Sequence, residues 1–290
     1  MKKILYTSAF VLFTFGIVNL SSCKKSIQED EETKDLVTLA ENSQLDESVT
    51  DNFTEIMGSS MLDLNLFEAP TQTVNSQSFN QEFAANADSS CRVVTITPTG
   101  NVFPKTMTID YGSGCGAAGN VRKGKIVSVI SGPMRKSGTV IETRFVDFYV
   151  NNNKITGTKR IVINGLNENL NLNFTVNINQ TVTSATGATR TYNSVYMIEW
   201  RQGILTPSKA DDVYAIRGTE SGRDSQGRNF SSTTLSPLIK KMNCDFIVAG
   251  KNQINVTGRP QFILDYGDGQ CDNKATVTAN GQTKEIVLKK

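Results

Sequence analysis

Leu170-Asn171-Leu172-Asn173-Phe174-Thr175-Val176-Asn177-Ile178-Asn179 alternates apolar and polar residues without a break. Successive side chains of an extended strand point to opposite faces, so this stretch has one dry side and one wet side. Its neighbours read the same way. Residues 140–150 and 155–163 flank the polar tip Asn151-Asn152-Asn153, and residues 184–187 link the central strand to another at 190–201. Further strand-like runs fall at 213–218, 229–235, 246–249, 261–266, 275–279 and 285–288, with turn residues between them. Consecutive strands with short links favour an antiparallel meander. The expected fold is therefore mostly β. Two forms are open, a pseudo-duplicated pair of sheets, which is preferred, and a single curved sheet or barrel.

The duplication rests on two similar segments, 91–131 and 244–288. In the first, Cys91 opens an apolar run, Pro104 follows, and Ile109-Asp110-Tyr111-Gly112 precedes Gly114-Cys115. In the second, Cys244 is followed by Pro260, Leu264-Asp265-Tyr266-Gly267, Gly269 and Cys271. Local pairing, Cys91 with Cys115 and Cys244 with Cys271, is the expectation, because a hairpin brings the ends of each segment side by side. The competing arrangement joins the copies, Cys91 to Cys244 and Cys115 to Cys271.

Upstream of the β domain (residues 91–290) the period changes. Leu45, Val49, Phe53, Ile56, Met57, Met61 and Leu64 recur at spacings of three and four, which predicts an amphipathic helix over residues 45–65. Ser43 is its expected cap, with Asp46 and Glu47 at the positive end of the helix dipole. One-sided strands need a cover, and the helix is expected to pack on the sheet. Residues 66–90 read as a linker. Residues 23–44, with the acidic run Glu29-Asp30-Glu31-Glu32, read as a solvated tether.

The chain opens with Lys2-Lys3, an apolar stretch from 4 to 18, and Leu20-Ser21-Ser22-Cys23. That order is the pattern of a secretory signal peptide, here residues 1–22, and the apolar run is shorter than the roughly 20 residues a spanning helix needs. Leu20-Ser21-Ser22-Cys23 resembles the lipobox of bacterial lipoproteins. The resemblance implies that Cys23 carries lipid and that the protein's membrane partner is reached through it. As a whole the chain resembles uncharacterised, disulfide-containing, β-rich lipoproteins of Bacteroidota, with the Asp-Tyr-Gly-x-Gly turns as the reminiscent residues. This implies a place in the cell envelope, at the outer membrane, facing the periplasm or the surface.

Composition narrows the chemistry. There is no histidine, which removes Ser-His-Asp and Cys-His catalysis and the commonest nitrogen ligand of zinc. Without Lys2 and Lys3 the 30 basic residues fall level with the 28 acidic ones, so net charge makes no case for nucleic acid. Asp265, Asp268 and Asp272 bracket a glycine-rich turn but depart from the EF-hand order, and only Asp110 and Asp265 correspond between the copies. The expectation is that these aspartates bond their own turns, with no metal and no cofactor. Glu142, Asp147 and Glu199 are candidate carboxylates for a glycosidase, and Tyr196, Ile198 and Trp200 a candidate sugar platform, though a core triplet reads better. The leading expectation is a lipid-anchored envelope protein with a binding or structural role and no catalysis. The alternatives are a carrier of lipid or another apolar ligand and a carbohydrate-active enzyme.

Overall fold

The computed structural model describes residues 22–60, 66, 91–117, 120–204, 206 and 208–288, apart from the side chains of residues 22–30, 50 and 52. Among the described residues there are one helix, α1 (Ser22–Ser60), and thirteen strands. These are β1 (Val93–Thr97), β2 (Lys105–Asp110), β3 (Arg122–Ile130), β4 (Val140–Val150), β5 (Asn153–Leu166), β6 (Leu172–Thr183), β7 (Thr189–Gln202), β8 (Val213–Arg223), β9 (Asn229–Lys241), β10 (Ala249–Val256), β11 (Phe262–Asp268), β12 (Lys274–Ala279) and β13 (Gln282–Val287). Each strand pairs antiparallel with the next, in one sheet whose order is the order of the chain. The preferred pair of sheets is therefore corrected to a single meander. Two smaller corrections concern strand ends. Leu170 is exposed with φ 60° and belongs to the turn before β6, and the strand after residue 246 runs through Val256.

The helix also differs from its expected limits. It starts by Ser22, so Ser43 lies inside it and caps nothing. Among the described residues, 22–36 belong to one compact unit, within which Lys34 pairs with Glu31 at 3.1 Å. From Val37 onward helix and sheet form the other. There Thr38, Leu39, Asn42 and Ser43, expected in a solvated tether, are buried. The polarity of Thr38 and Asn42 misleads because each finds a partner inside: Asn42 donates to the Thr38 carbonyl at 2.9 Å and Thr38 to Asp224 at 2.6 Å. The expected helical positions Met61 and Leu64 and most of the linker lie outside the described residues, as do residues 1–21.

The sheet does more than support one face of α1. Ile56, Met57, Gly58, Ser59 and Ser60 are buried in succession, and five consecutive residues exceed one helical turn, so this stretch is covered on every side. Along its length α1 meets widely separated strands. Phe53 sits edge-on to Phe174 of β6 at 4.8 Å and to Tyr214 of β8 at 5.7 Å. Glu55 is bridged to Arg92 and to Arg122 of β3, and Asp46 reaches Asn252 of β10 and Tyr266 of β11. The meander thus curls round the helix, and the core is the layer between them.

Both cysteine pairs are local. Cys91 and Cys115 have Cα atoms 5.4 Å apart, and Cys244 and Cys271 5.5 Å, as a disulfide requires. In a meander the start of β1 and the start of β10 lie at opposite ends of the strands, so the two bridges staple opposite rims of the sheet. The repeated Asp-Tyr-Gly splits its work the same way in both copies. Asp110 and Asp265 each accept the backbone N–H two residues on, at 2.9 and 3.0 Å, while Tyr111 and Tyr266 turn inward and are buried.

Two predictions follow from this packing. Phe53 is fully buried between two aromatic rings, and Phe53→Ala is expected to lower unfolding free energy by about 3 to 5 kcal/mol in urea melts. On β8, Gly218 faces Tyr196 of β7, and a Cβ there would stand 2.3 Å from the Val195 carbonyl and 2.4 Å from the tyrosine ring. Gly218→Ala is expected to destabilise by about 1 to 3 kcal/mol, as overpacking does. The equivalent change at the open-turn glycine Gly227 meets no atom within 4 Å, although its φ of 81° carries its own smaller strain.

Candidate functional site

The pairing registers place one polar belt across the inner face. Ser128, Thr143, Lys159, Ile178, Ser194, Glu220 and Ser232 stand opposite one another in sequence from β3 to β9. Ser128 and Thr143 bond each other at 2.9 Å. Glu220 accepts from Tyr196 at 2.7 Å, but its other oxygen, the Lys159 Nζ and the Ser194 hydroxyl have no hydrogen-bond partner. The facing helix contributes acids to the same layer. Asp46 accepts from Tyr266 at 2.6 Å and Asn252 at 2.8 Å, and Glu47 pairs with Lys240 at 2.8 Å while accepting the Ile247 N–H.

Burial dominates the electrostatics here. It pushes Glu220 up to about 7 and Asp46 well above the usual carboxylate range, with the Glu220 charge adding to the rise at Asp46. It raises Glu47 too, against the opposing pull of Lys240. Lys159 is drawn down to about 7 by the same loss of water, which outweighs the attraction of Asp51. Asp46 and Glu220 are thus two acids of the interior that burial inclines to hold a proton, and Asp212 is pushed up to about 7 for the same reason. Sequence reading missed the first two, since Asp46 was placed at an exposed helix start and Glu220 lies beyond the expected end of its strand.

The outer face of the same strip carries a groove of about 670 Å³ that crosses β4 to β9. Two outward rows line it. One runs Glu142, Arg160, Asn177, Val195, Thr219, Thr233, and the other Thr158, Asn179, Asn193, Ser221, Ser231. Glu142 and Arg160 pair at 2.8 Å. Elsewhere on this face polar side chains hold one another, as Asn164 holds Thr175 at 3.0 Å and Asn167 and Asn171 hold Glu199 at 2.9 and 2.8 Å. Within the groove, among the described residues, the amides of Asn177, Asn179 and Asn193 and the hydroxyls beside them bond no protein group. A smaller recess of about 270 Å³, lined by Asp51, Arg122, Arg190 and Tyr192 among others, lies between α1 and the β4–β5 turn.

The sequence candidates are dispersed. Glu142 belongs to the Arg160 pair, Asp147 is 84 % exposed beside Lys154, and Glu199 is held below the usual carboxylate range chiefly by the Asn171 amide. Tyr196, Ile198 and Trp200 are buried and pack inside. Asp265 pairs with Lys251 at 2.8 Å, Asp272 accepts the Lys274 N–H at 3.0 Å, and among the described residues no acidic cluster suits a metal. The side chain of Cys23 lies outside the described residues. No protein-family model, curated protein or solved structure matches the chain.

The buried acids set a pH dependence. A carboxyl whose folded pKa is raised holds its proton in the folded state after the unfolded chain has released it, so stability is lost as pH rises. For Glu220 the window runs from 4.5 to about 7. The thermal midpoint is expected to fall across that interval, and Glu220→Gln to flatten the fall, as measured by calorimetry at a series of pH values. Lys159 acts oppositely, adding stability as pH rises from about 7 towards 10.5. Lys159→Met is therefore expected to stabilise the protein most below pH 7.

Proposed function

We propose that the chain is a lipid-anchored cell-envelope protein, held at the membrane through Cys23, whose β body has a binding or structural role without catalysis. The observation that carries this reading is the pair of local disulfides, Cys91 to Cys115 and Cys244 to Cys271. Disulfides persist in oxidising compartments outside the cytoplasm, which accords with an exported chain. The lipobox-like Leu20-Ser21-Ser22-Cys23 supplies the anchor in this reading. Among the described residues no helix is long and apolar enough to cross a membrane. Two or more acyl chains hold a protein stably where one holds it marginally.

The interior favours binding at a surface over carriage of an apolar ligand. Phe53, Ile56 and Met57 of α1 occupy the space between the inner faces of the strands, where a carrier keeps room for its cargo.

Cys23→Ser is expected to move the protein from the membrane fraction to the soluble fraction of a lipoprotein-processing host and to abolish labelling by radioactive palmitate. A substituted protein that is cleaved normally and stays in the membrane fraction overturns the anchor.

A further inference from the structure

We propose that the groove on the outer face is a binding site for an uncharged oligosaccharide. The reasoning is independent of the membrane anchor and rests on what the groove offers and what it withholds. Its only outward charges, Glu142 and Arg160, neutralise each other at 2.8 Å, because Glu220 turns inward to Tyr196. A polyanion such as nucleic acid needs a run of unpaired cations along its path, and the residues lining the groove supply none; Arg144, opposite Thr158, and Arg217, opposite Met197, stand only at its margins. A peptide that adds to a sheet needs a free strand edge. The groove lies in the middle of the sheet, where the backbone of β5 to β8 is paired on both sides.

What remains is a row of uncommitted donors and acceptors. An asparagine amide both donates and accepts, as does each hydroxyl, and a sugar hydroxyl does the same. Asn177, Asn179 and Asn193 stand together on two adjacent strands, with Ser221 and Ser231 continuing the line. In their midst Val195 is 49 % exposed and Met197, next along the same face of β7, is 59 % exposed. Sugar rings present hydroxyls at the edge and C–H groups on the face, so an apolar spot within a polar row matches both. Six strands about 4.8 Å apart make a track of roughly 24 Å, long enough for a chain of several rings.

The test is affinity electrophoresis of the folded protein in gels containing dextran, mannan, xyloglucan or β-1,3-glucan, with heparin and polygalacturonate as charged controls. At least one neutral polysaccharide is expected to retard the protein, and the two charged ones are not. The double variant Asn179→Ala/Asn193→Ala removes groups that hold no other part of the protein, so its thermal midpoint should match the parent. It is expected to weaken binding about tenfold or more, the loss of two hydrogen-bonding groups. Asn164→Ala, on the same face but outside the groove, is expected to bind as the parent does. Val195→Lys, placing a long charged chain on the groove floor, gives a second test should the double variant fold poorly. Three results each overturn the proposal: no retardation by any of the neutral polysaccharides, equal retardation by the charged ones, or unchanged binding in both groove variants.

Discussion

The whole arrangement depends on satisfying the polar side chains of a helix that has been taken out of water. Three acids of α1 are met by different parts of the sheet: Asp46 by β10 and β11, Glu47 by the end of β9, and Glu55 by Arg92 and β3. A buried charge or hydrogen-bonding group left without a partner is costly, so these contacts admit few alternatives. They fix the rotation of the helix and its depth together. Apolar contacts alone would tolerate sliding, whereas Phe53 between Phe174 and Tyr214 acts with the acids to define one position.

The strip of sheet beneath this layer faces a second constraint. Register is normally specified because a shift by one residue exchanges the buried and exposed faces. From β5 to β9 the inner belt and the outer rows are both largely polar, and that signal is weak. Size supplies what polarity lacks. Tyr192 and Tyr196 of β7 stand opposite Gly222 and Gly218 of β8, where a Cβ would strike backbone within 2.3 Å. At Gly218 the Tyr196 ring lies over the gap glycine leaves, and at Gly222 the backbone of Thr191 and Tyr192 closes it, so neither position admits a side chain in this register.

Much of this was legible in the chain. The alternation from Leu172 to Ile178, the hairpin tip at Asn151 and the local cysteine pairing all depend on near neighbours, and short-range patterns record them. The helix was legible from its apolar spacing but its extent was not, because Thr38, Asn42 and Asp46 look like solvent-facing residues. Thr38 is met by Asp224, and Asp46 by Asn252 and Tyr266, some 180 to 220 positions away, so no local window reveals that this stretch is buried. The groove escaped for a related reason. An asparagine on a wet face looks the same whether its amide is held or free, and only the registers showed which ones stand together.

The nearest-neighbour meander has a consequence for the order in which the protein assembles. Every strand ladder closes a short loop, so the sheet can grow hairpin by hairpin at little entropic cost. The helix cannot join on those terms. Its acids precede β10 and β11 by about 200 residues, and their contacts form only after most of the strands are in place. Long-range closure of this kind slows folding. Asp46, near the start of the described chain, thus meets its partners only once β10 and β11 exist, and until then the earlier strands present part of their apolar face to whatever accompanies it.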